Sequence, residues 1–127
     1  MKRGAVLTLA LVAGAASGCP ATARDGDLLA EGAVTLAWRA APARIVVGTP
    51  FALEIVACPE DARLVAVDAT MPEHRHGMNY KPSLKALGGG RWRADGLLWH
   101  MSGRWQLRFD VQRAGATQTL TRDFTLP

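Results

Sequence analysis

From Val34 onward, apolar and polar residues alternate with a period of two, the signature of strands that lay one face on a core. "VTLAWR" (Val34 to Arg39) opens the pattern. "PFALEIVA" (Pro50 to Ala57) sets Phe51, Leu53 and Ile55 on one face. "RLVAVDAT" (Arg63 to Thr70) sets Leu64, Ala66 and Asp68 on one face and Val65 and Val67 on the other. "SLKALG" (Ser83 to Gly88) reads as a short edge strand. "GGGRWRADGLLW" leaves a glycine turn and sets Trp92 and Ala94 against Arg91, Arg93 and Asp95. "GRWQLRFDVQ" is the most regular, with Trp105, Leu107, Phe109 and Val111 opposed to Gln106, Arg108 and Asp110. "RAGA" then turns the chain into the closing "TQTLTRDFTL".

No window carries a capped amphipathic helix. About seven short strands separated by turn residues predict an all-β protein, an immunoglobulin-like antiparallel β-sandwich. Trp38, Trp92, Trp99 and Trp105 are expected as core pillars of that sandwich, Trp99 with the weakest pattern behind it. The domain is expected over 33–127, preceded by a tether over 19–32 that contains "PATARDGDLLAEG".

The start of the chain follows a different rule. Lys2 and Arg3 precede an apolar run from Ala5 to about Ala13 and a stretch of small residues. That is the shape of an export signal over 1–18, too short for a spanning helix of about 20 apolar residues. "ASGC" (Ala16 to Cys19) resembles a lipoprotein signal, with Ala16 where many have leucine, so Cys19 is the expected lipidation site. The expectation is a domain on the periplasmic side of a bacterial membrane, lipid-anchored at Cys19, or soluble in the periplasm if Cys19 is not lipidated. Only Cys19 and Cys58 are present. With Cys19 acylated, Cys58 is a lone thiol, read as a small buried residue. Without the lipid, a Cys19–Cys58 disulfide is open in an oxidising compartment.

Export also changes the meaning of the charge. Without Lys2 and Arg3, 13 basic residues face 11 acidic ones. The remaining arginines mostly alternate with apolar residues, as on solvated strand faces, so no nucleic-acid partner is expected.

The candidate chemistry lies in "MPEHRHGM" (Met71 to Met78) and in His100–Met101. All three histidines, and every methionine except the initiator, fall in these two stretches. Imidazole and thioether are borderline-to-soft ligands, and thioether selects Cu(I). Zinc sites favour His, Cys and carboxylate, and calcium and magnesium favour oxygen. Thioethers need no deprotonation and form no disulfides, which suits an oxidising compartment. In extended backbone, His74 and His76 would project from one side, and Gly77 would allow a turn that returns Met78 to them. His100 and Met101 would reach the same loop only if both lay at one end of the sandwich. The expected metal ligands are Met71, His74, His76, Met78, His100 and Met101, three or four at a time. Met71, at a strand end, has packing as its competing role.

No catalytic constellation is present. Ser17, Ser83 and Ser102 lack a nucleophile-elbow context. "GGGR" leads into a strand, whereas an anion-binding turn opens a helix. The reading is a non-enzymatic copper binder that exchanges its ion with a donor or acceptor protein in the envelope. The alternative is a β-sandwich interaction module of the envelope that uses no metal.

"MPEHRHGM", "RWRADGLLWHMSGRWQLRFDV" and the closing strand together resemble the YtkA-like domain, a relative of the FixH family, over roughly Val34 to Leu126. The resemblance implies an immunoglobulin-like sandwich at the envelope, linked to copper handling or oxidase assembly. It departs in its anchor: FixH-type proteins are usually held by a transmembrane helix, where this chain offers a lipidation signal. The ligand types also resemble those of periplasmic copper chaperones.

Overall fold

A computed structural model describes residue 19 and residues 21–127. The signal expected at 1–18 lies outside the described residues. These form nine strands: β1 (Asp27–Glu31), β2 (Val34–Ala41), β3 (Phe51–Cys58), β4 (Arg63–Met71), β5 (His76–Gly77), β6 (Ser83–Gly88), β7 (Arg91–Leu97), β8 (Gly103–Arg113) and β9 (Ala116–Leu126). No helix long and apolar enough to cross a membrane occurs among the described residues.

Two antiparallel sheets face each other, ordered β1-β2-β3-β7-β6 and β5-β4-β8-β9. Setting β1 and β5 aside leaves seven strands, with the first, second, fifth and fourth in one sheet and the third, sixth and seventh in the other. This is the ABED/CFG arrangement of a constant-type immunoglobulin sandwich. The all-β expectation and its seven principal strands therefore hold.

Alternation explains the core. Trp105, Leu107, Phe109 and Val111 of β8 are fully buried, and Leu36, Leu53, Ile55 and Leu97 of the facing sheet and Trp99 of the loop after β7 meet them. Trp99 lies parallel to Trp105 at 5.3 Å and edge-on to Phe51 at 5.2 Å. Trp99, the tryptophan with the weakest pattern, is thus among the best buried. Trp38 is buried as well, while Trp92 is half-buried and packs against the core edge.

Two features depart from the sequence reading. In β4 the register slips between Leu64 and Ala66, a β-bulge that accommodates Val65 as an extra residue. The inward face therefore changes phase after Leu64 and continues through Val67, Ala69 and Met71, leaving Val65 and Asp68 exposed. The expected grouping of Leu64 with Ala66 and Asp68 is corrected accordingly. In addition, the stretch expected as a tether over 19–32 contributes β1, which pairs along β2 from Asp27↔Trp38 to Glu31↔Val34. Arg122 of β9 donates to Asp27 at 3.0 Å and links β1 to the opposite sheet. The folded unit thus begins before residue 33.

Cys19 and Cys58 are joined as a disulfide. Cys58 is therefore no lone thiol. Its burial agrees with the expectation, and its bonding does not. The bond occupies the sulfur that a lipid at Cys19 would use.

Candidate metal centre

The site is assembled from a hairpin and a loop at one pole of the sandwich. β4 ends at Met71, the chain turns through Pro72–Arg75, and β5 returns with His76 opposite Met71 and Gly77 opposite Thr70. The His74 amide donates to the Met71 carbonyl at 3.1 Å to close the turn, and the Met78 amide donates to Ala69 at 3.3 Å. Arg75 takes a left-handed φ of 51°. The loop is therefore a tight turn, and the extended backbone in which His74 and His76 would share a side does not form. Nor does the turn fall at Gly77, which lies in β5, where an added Cβ would come within 3.2 Å of the Ala69 carbonyl.

Directly opposed residues of an antiparallel pair share a face, as do residues i and i+2 on a strand. His76 thus leaves the hairpin on the side of Met71, and Met78 follows on the same side, half-buried against the core. The partner loop comes from the other sheet. After β7, Trp99 enters the core, His100 emerges, and Met101 packs half-buried. The Trp105 indole donates to the Met101 carbonyl at 3.0 Å and fixes this loop.

The two stretches meet. The His74 and His76 rings lie 5.7 Å apart, centroid to centroid, and His76 and His100 lie 5.3 Å apart. His100 also rests edge-on against Trp105 at 5.6 Å. The three imidazoles form an exposed row with His76 in contact with both neighbours. Two imidazoles bound through nitrogen to one first-row ion, at about 2.0–2.1 Å per bond, hold their centroids roughly 5–6 Å apart. Both centroid spacings fall in that range, with the His74 and His76 rings stacked at 18° and the His76 and His100 rings tilted at 36°. Among the described residues no three His, Cys, Asp or Glu side chains form a ready-made metal-binding group.

Met78 and Met101 are the thioethers at this pole that keep partial access to solvent. Met71 differs. It is 1% exposed, and its terminal methyl fills the space over Gly103, where an added Cβ would meet it at 2.9 Å. Its side chain is spent on packing, so it drops out of the accessible ligand set.

Charged residues brace the hairpin. Arg104 of β8 donates to Glu73 in the turn and to Asp123 of β9, both at 3.2 Å. The hydrogen bond to Glu73, above all, raises the Arg104 pKa and favours its charged form, and the Asp123 and Glu73 charges add to it. Glu73 and Arg104 look like ordinary surface charges in sequence, and only their pairing across 31 residues makes them a brace.

No family model matches the chain, and neither the curated proteins nor the solved structures contain a match to it.

Proposed function

We propose that this is an exported copper-binding protein that holds Cu(I) at the histidine pole and passes it on by ligand exchange. The observation that carries the reading is the row His74–His76–His100, built from two stretches far apart in sequence, with Met78 and Met101 half-buried at the same pole. A mixed imidazole and thioether set favours Cu(I) over zinc, calcium or magnesium. His76 is the central ligand. His74 or His100 completes a pair, and a thioether from Met78 or Met101 supplies the third position. The exposed rings give an acceptor protein access to the ion, as exchange between carriers requires. Copper is cargo here, and the residues bind it rather than perform chemistry with it.

The test is a Cu(I) titration of the purified protein against a chromogenic Cu(I) chelator under conditions that keep copper reduced. One equivalent bound at nanomolar affinity or tighter, lost in a His76→Ala/Met78→Ala double variant, is the expected result. Affinity no better than that of an unstructured His/Met peptide would overturn the reading.

A second reading, an envelope interaction module without metal, draws on a different observation. Edge strand β6 exposes Leu87, and Tyr80 is exposed just before it. An open strand edge with apolar side chains can accept a partner strand. A specific envelope partner retained after copper chelation, and lost on Leu87→Lys, would favour this reading over the first.

A further inference from the structure

We propose that Cys19 serves as a structural half-cystine, so that Cys19 and residues 21–26 belong to the folded domain and the Cys19 sulfur carries no lipid. The disulfide to Cys58 is one of three features that fix this segment against the sheet. The second is a glycine seat. Gly90 has φ +78°, and a Cβ there would come within 3.0 Å of Cys19 Sγ and 2.7 Å of the Ala57 carbonyl. Glycine thus leaves room both for the Ala57 carbonyl of β3 and for the Cys19 sulfur beside it. The third is a pinned turn. The Thr22 amide donates to Asp25 at 3.0 Å, the Asp25 amide donates to the Thr22 carbonyl at 2.9 Å, and Asp25 pairs with Arg91 at 3.6 Å. Gly26 then passes so close to β2 that a Cβ would lie 2.0 Å from the Trp38 carbonyl. A flexible tether needs none of these features. Together they direct Cys19 to Cys58 and lead the chain straight into β1.

The chemistry separates the two fates of Cys19. A diacylglyceryl anchor is a thioether on the Cys19 sulfur, and a sulfur so alkylated cannot form a disulfide. Disulfide formation removes two protons and two electrons from the Cys19 and Cys58 thiols. The oxidant is the disulfide of an envelope thiol–disulfide oxidoreductase, which leaves as a dithiol after passing through a mixed disulfide. The bond also lies away from the histidines. Phe51 pairs with Leu97 near Trp99 and His100, whereas Val56 pairs with Arg91 at the other end of β3, beside Cys58. The disulfide therefore closes the pole opposite the proposed copper site.

The experiment is a peptide map of the full chain expressed in a bacterium and recovered from both periplasmic and membrane fractions. Free thiols are alkylated before any reductant is added. The expected result is one linked peptide pair containing Cys19 and Cys58, with both cysteines alkylated only after reduction. A Cys19 peptide carrying a lipid mass, or Cys58 alkylated without reductant in most of the protein, overturns the proposal. A Cys19→Ser variant supplies a second readout. The proposal expects an unchanged split between the fractions and a lowered melting temperature. Loss of a membrane-bound fraction on that substitution overturns it. Neither readout involves copper, so the outcome is independent of the copper titration.

Discussion

His76 stands directly across the β4–β5 ladder from Met71, and the two share a face of the sheet with opposite fates. Met71 lies under the edge of the core, sealed by Gly103 and the facing sheet. His76 lies on the same rung but on the edge strand β5, exposed, and meets both His74 and His100. A single hairpin therefore separates a packing residue from a candidate ligand.

His76 should dominate metal binding because it alone touches both other rings. His76→Ala is expected to weaken Cu(I) binding at least tenfold, about 1.4 kcal/mol. His74→Ala should have a smaller effect, since the His76–His100 pair survives it. Chelator competition on the three proteins gives the ranking. Equal losses from both substitutions would mean that the row does not act through its centre.

Met71 can be assigned by changing its chemistry while keeping its volume. Met71→Leu removes the sulfur and should cost less than about 1.5 kcal/mol of stability, with copper affinity unchanged. Met71→Ala leaves a cavity and should cost about 2–5 kcal/mol. Urea unfolding reads the first quantity and chelator competition the second. A sharp loss of affinity in Met71→Leu would restore Met71 to the ligand set.

Gly103→Ala should strain the same corner. The added methyl faces Met71 at 2.9 Å from a backbone with φ +124°. Overpacking of this kind costs about 1–3 kcal/mol. Thermal unfolding should show the loss. The double variant Gly103→Ala/Met71→Ala should recover part of it, and no recovery would place the strain in the backbone alone.

Acid should loosen the N-terminal segment. The Asp25 carboxyl is held below its ordinary value chiefly by the Thr22 backbone amide. Partial burial opposes this, while the Thr22 hydroxyl and Arg91 add to it. A carboxyl depressed in the folded state contributes stability above its unfolded pKa of about 3.9 and loses it as pH falls through the folded value. The turn at 22–25 should hold near neutral pH and open only below the usual aspartate range. Hydrogen exchange of the Thr22 amide against pH measures this. Opening at a pH above that range would contradict it.

The hydrophobic pattern was enough to read seven of the nine strands, because a period of two over five or more residues leaves a half-buried strand few alternatives. It failed at Val65. A bulge is one extra residue relative to a partner strand, and no strand records its partner's register. It also missed β1. "DLLAE" offers three apolar residues in a row, without alternation, between two acids, and its strand form depends on the open edge of β2 and on Arg122. The loop at Met71–Met78 was legible, but not its closure at Arg75, because a left-handed arginine carries no local signal.

The candidate site divides along the same line. Sequence by itself determined which residues could act, since every histidine and all but one methionine lie in two short stretches. Tertiary structure decided which of them meet. His76 and His100 are separated by β6 and β7, and only the closing of two sheets brings their rings to 5.3 Å. It also removed Met71 by burying it and joined Cys19 to Cys58 across 39 residues. Ligand identity is a property of single side chains and can be read in order along the chain. Proximity and burial depend on strands pairing across long sequence separations, and the fold alone supplies them.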